Sequence, residues 1–102
     1  MPKRTEKEEI KKDGAQGVKN SGRGMMKGDA KLGKFLIDYK HNGKTFTLTR
    51  EAWRKMRKDA WNSQYRHPCI SVVMGEDSDV KVAIIEWSLF RQLIEDTGYD
   101  LQ

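Results

Sequence analysis

The stretch Phe35-Leu36-Ile37-Asp38-Tyr39-Lys40-His41-Asn42-Gly43-Lys44-Thr45-Phe46-Thr47-Leu48 places an Asn-Gly pair between two short segments in which apolar and polar side chains alternate. Asn-Gly between alternating runs is the strongest short-range signal for a β-hairpin, because both residues tolerate the positive φ of a tight primed turn. The sequence therefore predicts strands over Phe35 to His41 and Lys44 to Leu48, with Tyr39 opposite Phe46. A period of two puts Phe35, Ile37, Tyr39, Phe46 and Leu48 on one face. Leu36, Asp38, Lys40, Thr45 and Thr47 fall on the other, so an acid and a lysine share a side.

Downstream, Thr49 is a suitable cap for a helix running to about Arg66, with Trp53, Met56 and Ala60 as its buried stripe. Arg54, Lys58, Trp61 and Tyr65 recur on a different face. Two readings of that face are open: basic and aromatic groups touching a nucleic acid, or Trp61 and Tyr65 covering a neighbouring element while the charges face water. Pro68 is expected to stop the helix. Cys69 to Met74 is almost wholly apolar and reads as a strand buried on both faces, followed by a second buried strand over Val80 to Glu86. Trp87 to Asp96 reads as a terminal helix with Phe90, Leu93 and Ile94 inward, closed by Gly98.

Upstream, Thr5 to Asp13 reads as a short helix with Glu6, Ile10 and Asp13 on one face. Between Gly14 and Gly33 lie six of the nine glycines, which predicts a glycine-rich loop, placed over residues 14–28 as part of an active site, with one short strand near Met25 to Ala30. Residues 1–4 are expected to be disordered. This order of elements predicts an α/β (α+β) fold, a central mixed β-sheet flanked by helices, in a single domain spanning residues 1–102.

With 102 residues there is room for one core. The longest uncharged run, His67 to Gly75, is about half of what a membrane span needs, so no membrane association is expected. One cysteine excludes an internal disulfide. A reducing, cytoplasmic location is the expectation. The net charge of +5 is unevenly placed: residues 1–66 carry eighteen Lys/Arg against eight Asp/Glu, and residues 67–102 carry two against seven. Segregated positive charge is the footprint of nucleic-acid binding, although basic character also serves solubility.

Asp29 ends the glycine-rich segment, and Asp38 and Lys40 follow nine and eleven residues later. Two carboxylates on neighbouring strands suit a hard cation such as Mg2+, with Mn2+ as a substitute. A lysine two residues from such an acid lies on the same side of the strand, where it can orient or help deprotonate a water at the metal. The alternative is an ordinary surface Asp-x-Lys pair.

Gly28-Asp29 followed by Ile37-Asp38-Tyr39-Lys40 resembles the signature of the PD-(D/E)XK nuclease superfamily. Asn20-Ser21-Gly22-Arg23-Gly24 ahead of Lys27-Gly28-Asp29, the Trp53 helix with Ala60, and the apolar strand after Pro68 are similar to Holliday junction resolvases of phage and archaea. The likeness spans roughly Glu6 to Phe90. Gly28 stands where the family name has Pro, and Asp38 where Glu is commoner. The resemblance implies a restriction-endonuclease-like core and catalytic roles for Asp29, Asp38 and Lys40. It also implies a further metal-associated acid on the first helix, Glu6 with Glu9 in reserve. Ser21 and Arg23 match the loop that grips the scissile phosphate region, and guanidinium pairs well with phosphate. With Lys27, Arg54, Lys58 and Trp61 they make up the DNA-contacting candidates.

The expectation is a Mg2+-dependent endonuclease acting on branched double-stranded DNA, most simply a junction resolvase. Paired nicks need two sites, hence a homodimer. A nicking or repair nuclease of other specificity, and a non-catalytic DNA-binding module, are the alternatives. A small interaction protein using Met25, Met26 and Trp61 explains neither the charge nor the hairpin.

Overall fold

A computed structural model describes residues 6–20, 24–64, 66–77 and 79–101. The elements run α1 (Glu6–Asp13), β1 (Gln16–Asn20), β2 (Gly24–Leu32), β3 (Phe35–Asn42), α2 (Arg50–Asn62), β4 (His67–Met74), β5 (Val80–Ile84), α3 (Trp87–Thr97) and a terminal 3-10 turn, Tyr99–Leu101. The strands form one mixed sheet in the order β1-β2-β3-β4-β5. All neighbours are antiparallel except β3 and β4, which run parallel and are joined by α2. The fold is therefore α+β, a five-stranded mixed sheet flanked by helices.

The expected Asn42-Gly43 hairpin does not form. The hairpin is instead β2–β3, closed by the two-residue turn Gly33-Lys34, with Leu32 paired to Phe35 and Gly33 at φ +57°. Glycine adopts that left-handed conformation without the Cβ clash other residues meet. The free edge of β3 is taken by β4, from Phe35↔His67 to Asn42↔Met74. Burial decides this competition. Six consecutive residues of β4, Pro68 to Val73, are buried, whereas Lys44 to Leu48 offers only Phe46 and Leu48 to a core. At about 1.5–3 kcal/mol for each large aliphatic side chain buried, Ile70, Val72 and Val73 outweigh those two. After Asn42 the chain leaves the sheet, with Gly75 N–H donating to the Gly43 carbonyl at 2.7 Å and Asn42 Nδ2 to the Thr45 carbonyl at 3.0 Å.

Phe46 consequently does not join Tyr39. It packs with Trp53, Met74 and Ile84 around Met56, Ile70 and Val72, on the α2 side of the sheet. The α1 side holds Ala30, Ile37, Tyr39 and Cys69, with Ile10, Ala15, Phe35 and Ile85 around them. Leu36, expected on the polar face of the hairpin, is buried as well.

The remaining departures have related causes. The glycine-rich stretch placed as a loop over residues 14–28 contains β1 and the first half of β2. β1 pairs with β2, from Gln16↔Lys31 to Asn20↔Gly24, through backbone groups that need no large side chains, and the strand expected near Met25 to Ala30 lies within β2. The helix expected to reach Arg66 ends at Asn62, and Pro68 lies inside β4. β5, expected to be buried, is an exposed edge strand. Nothing in α3 is buried either: Phe90 and Leu93, expected inward, are 42% and 39% exposed. Gly98 does close that helix, in the left-handed conformation. Residues 1–4 lie outside the described residues.

The α1 face also holds a polar cluster around Lys81, a residue with no role in the sequence reading. Glu9 is 1% exposed, and its Oε1 accepts from Lys81 Nζ at 2.9 Å. The same ammonium donates to Asp13 Oδ1 at 2.9 Å, and Tyr39 Oη donates to Asp13 Oδ2 at 2.9 Å. Burial alone would draw the Lys81 pKa down, but its hydrogen bonds to the two acids outweigh this and hold it above the usual lysine value. Losing the ammonium would strand a buried carboxylate. Lys81→Met is expected to cost about 2–4 kcal/mol in urea unfolding, and Tyr39→Phe about 1 kcal/mol, since the phenol is one hydrogen bond among several. Burial pushes the Cys69 thiol up to about 11, so it should resist alkylation at pH 8 in the native protein and react once unfolded.

Candidate functional site

The parallel register places Asp38 beside Ile70 and Lys40 beside Val72, so the pair lies on the α2 face of the sheet. Lys40 Nζ is 3.4 Å from Asp38 Oδ2, and the two side chains are 44% and 18% exposed. They open into a cleft of about 660 Å³ between β3, the segment from Thr45 to Leu48, and α2. Ala52, Lys55, Met56 and Asp59 line its helical wall. The start of α2 is fixed by Thr49, whose side chain accepts from Ala52 N–H at 3.1 Å.

Asp29 stands directly opposite Asp38 in the antiparallel register of β2 and β3. Its side chain, like those of Lys27 and Glu6, lies outside the described residues, as do Ser21 and Arg23 altogether. Glu9 is not brought to Asp38. It lies on the α1 face with Tyr39, and alternation along β3 separates it from the Asp38 side. Among the described residues no group of three or more His, Cys, Asp or Glu is placed to hold a metal ion. Asp59 and Lys55, which have no role in the sequence reading, lie on a different side of α2 from the Arg54 stripe. Asp59 lies three residues from Met56, which is the spacing that puts both on one side of a helix.

Arg54, Lys58 and Trp61 line a second cleft, of about 630 Å³, on another side of α2. Arg57, Arg66, His67, Pro68, Glu86 and Ser88 complete it. Trp61 is 63% exposed, so it does not serve as a core residue. Glu86 Oε1 accepts from Trp53 Nε1 at 2.8 Å and from Arg57 Nε at 2.7 Å, which ties α2 to the first turn of α3. Arg66 Nη1 donates to the Ser63 carbonyl at 2.8 Å and to Gln64 Oε1 at 2.9 Å. The outer face of α2 is thus a basic groove with an aromatic ring in it.

No family model, curated protein or solved structure matches this chain. No described helix is long and apolar enough to cross a membrane.

Burial would raise the Glu86 carboxyl, but the Trp53 and Arg57 hydrogen bonds overcome it and hold the carboxyl below its ordinary value. A depressed folded pKa contributes stability above the unfolded value, and that stability is lost as pH falls through the folded one. Glu86→Gln is therefore expected to flatten the decline in stability below about pH 4.5, as measured by urea midpoints across an acid series.

Proposed function

We propose that this protein is a metal-dependent, structure-selective DNA endonuclease with a restriction-endonuclease-like core, acting on branched DNA as a Holliday junction resolvase. The observation that carries the reading is the pairing of Asp38 and Lys40 in an open cleft, with Asp29 directly across the ladder. A mixed sheet flanked by helices is the architecture this resemblance calls for. The donor chemistry fits a hard cation: Asp38 is a partly exposed carboxylate, Asp29 occupies the facing position, and Asp59 adds a third acid to the cleft.

Asp29 and Asp38 would hold Mg2+ or Mn2+, whereas α1, the helix that carries Glu6, covers the opposite face of the sheet. Such an ion supplies an activated water and offsets charge on the phosphate. Lys40 is close enough to Asp38 to have its ammonium oriented by that carboxylate, and exposed enough to meet a phosphate or a water in the cleft. Its role is to position the attacking water and to steady charge on the scissile phosphate. Asp59 and Lys55 would shape the opposite wall. Ser21, Arg23 and Lys27 would reach the backbone near the cut, with Arg54, Lys58 and Trp61 at the second cleft. One chain carries one such site, so paired nicks require a homodimer.

The second cleft favours one other reading, a DNA-binding module without catalysis, because its cations and Trp61 need no metal to bind phosphate and bases. A synthetic four-way junction and a linear duplex, each incubated with Mg2+ or with EDTA, separate the two. Cleavage of the junction in paired nicks, only with metal, is expected. Asp38→Asn or Asp29→Asn should abolish cleavage and retain binding. Lys40→Ala should lower kcat by about 10²-fold or more with little change in affinity. Metal-independent binding with no cleavage at all would leave the module reading.

A further inference from the structure

We propose that the second cleft is a docking site for single-stranded nucleic acid, in which Trp61 stacks on an unpaired base while the surrounding cations hold the flanking phosphates. The inference takes from the proposed function only that the partner is a nucleic acid, and it needs no catalysis. Four permanent cations, Arg54, Arg57, Lys58 and Arg66, line the cleft against a single carboxylate, Glu86. Arg54, Lys58 and Trp61 fall at spacings of four and three along α2, so they form one stripe down the helix.

Trp61 presents an indole that is 63% exposed, in the middle of this positive field. A base can lie on its face only when that base is unpaired or ends a duplex, whereas phosphates are available in either form. Stacking on an aromatic side chain is tolerant of sequence and contributes about 1–3 kcal/mol per base. The cleft volume of about 630 Å³ lies in the range of small-ligand sites. A nucleotide is of a size to occupy it.

The geometry around the ring is held rather than loose. Arg57 is oriented by Glu86, which also accepts from Trp53 Nε1, and Arg66 is braced against Ser63 and Gln64. Guanidinium groups fixed in this way lose less freedom on binding phosphate than a mobile lysine does. The site is also separate from the Asp38 cleft. Ala52, Lys55, Met56 and Asp59 line that cleft and Arg54, Arg57, Lys58 and Trp61 line this one, so a strand held here leaves the catalytic candidates uncovered.

Fluorescence anisotropy in EDTA tests the proposal on the full chain, with labelled oligothymidylate and a labelled duplex of equal length as probes. The wild type should bind both. Trp61→Ala should weaken oligothymidylate binding by about 5- to 100-fold while leaving duplex affinity nearly unchanged, and Trp61→Phe should restore most of the loss. Arg54→Gln with Lys58→Gln should weaken both probes and flatten the salt dependence by about one to two units in log-log slope. Oligouridylate carries the same phosphates and π-faces, so it should show the same Trp61 dependence; whichever single strand binds tighter names the source. Unchanged oligothymidylate affinity in Trp61→Ala, or an equal loss on both probes, overturns the proposal. Wild-type protein that cuts a junction but binds no single strand would overturn it while sparing the endonuclease. Trp61-dependent binding without cleavage does the reverse.

Discussion

Strand β3 is paired along both edges and flanked by a helix on each face, and the rest of the molecule follows from that. Its two edges are hydrogen-bonded to β2 and β4, and its two faces are covered by α1 and α2. A strand in this position normally carries apolar residues throughout. Here Asp38 and Lys40 interrupt the pattern on one face, and Tyr39 reaches the Asp13 carboxylate on the other. Each polar group is accommodated by local architecture: the departure of the chain after Asn42 leaves a cleft over Asp38, and α1 brings acids to Tyr39.

Two opposed polar sites thus share one strand with different degrees of solvation. On the α1 side, Glu9, Asp13 and Lys81 are joined by short hydrogen bonds, with Glu9 almost wholly removed from water. That arrangement joins residues far apart in the chain, and it couples α1 to the edge strand β5. On the α2 side, the Asp38–Lys40 contact is longer and partly exposed, open to a ligand. On the α1 side only Glu9 is removed from water, with Asp13 and Lys81 at 26% and 35% exposure, so the two sites differ in the length of their contacts and in the cleft that lies over Asp38 and Lys40.

How much of this could be read from the sequence depended on whether the signal was local. Thr49 and the Trp53, Met56, Ala60 stripe identified α2, since capping and helical spacing act within a few residues. The apolar run after Pro68 identified β4 for the same reason. The Asn42-Gly43 hairpin failed because turn chemistry sets only the cost of a reversal, whereas the occupant of the β3 edge was settled by the burial of β4, some thirty residues away. Asp38 and Lys40 were legible as a same-face pair from alternation alone. The Lys81 partnership with Glu9 spans a sequence separation of 72 and leaves no local trace. Asp59 was within reach of the helical periodicity, on a different side of α2 from the basic stripe.

The bareness of α3 has a consequence for how the molecule breathes. The helix contributes no buried residue, and Trp87 and Phe90 contact each other, with ring centroids 5.3 Å apart, on a largely exposed surface. An isolated helix of eleven residues is marginal in water. Its anchorage is at its first turn, where Glu86 holds Trp53 and Arg57 of α2. Sparse burial of this kind favours local opening of the C-terminal segment ahead of the sheet. The hinge of that opening is the carboxylate that borders the basic cleft. Any opening that withdrew Glu86 would remove the carboxylate from the basic cleft and leave Arg57 without that partner.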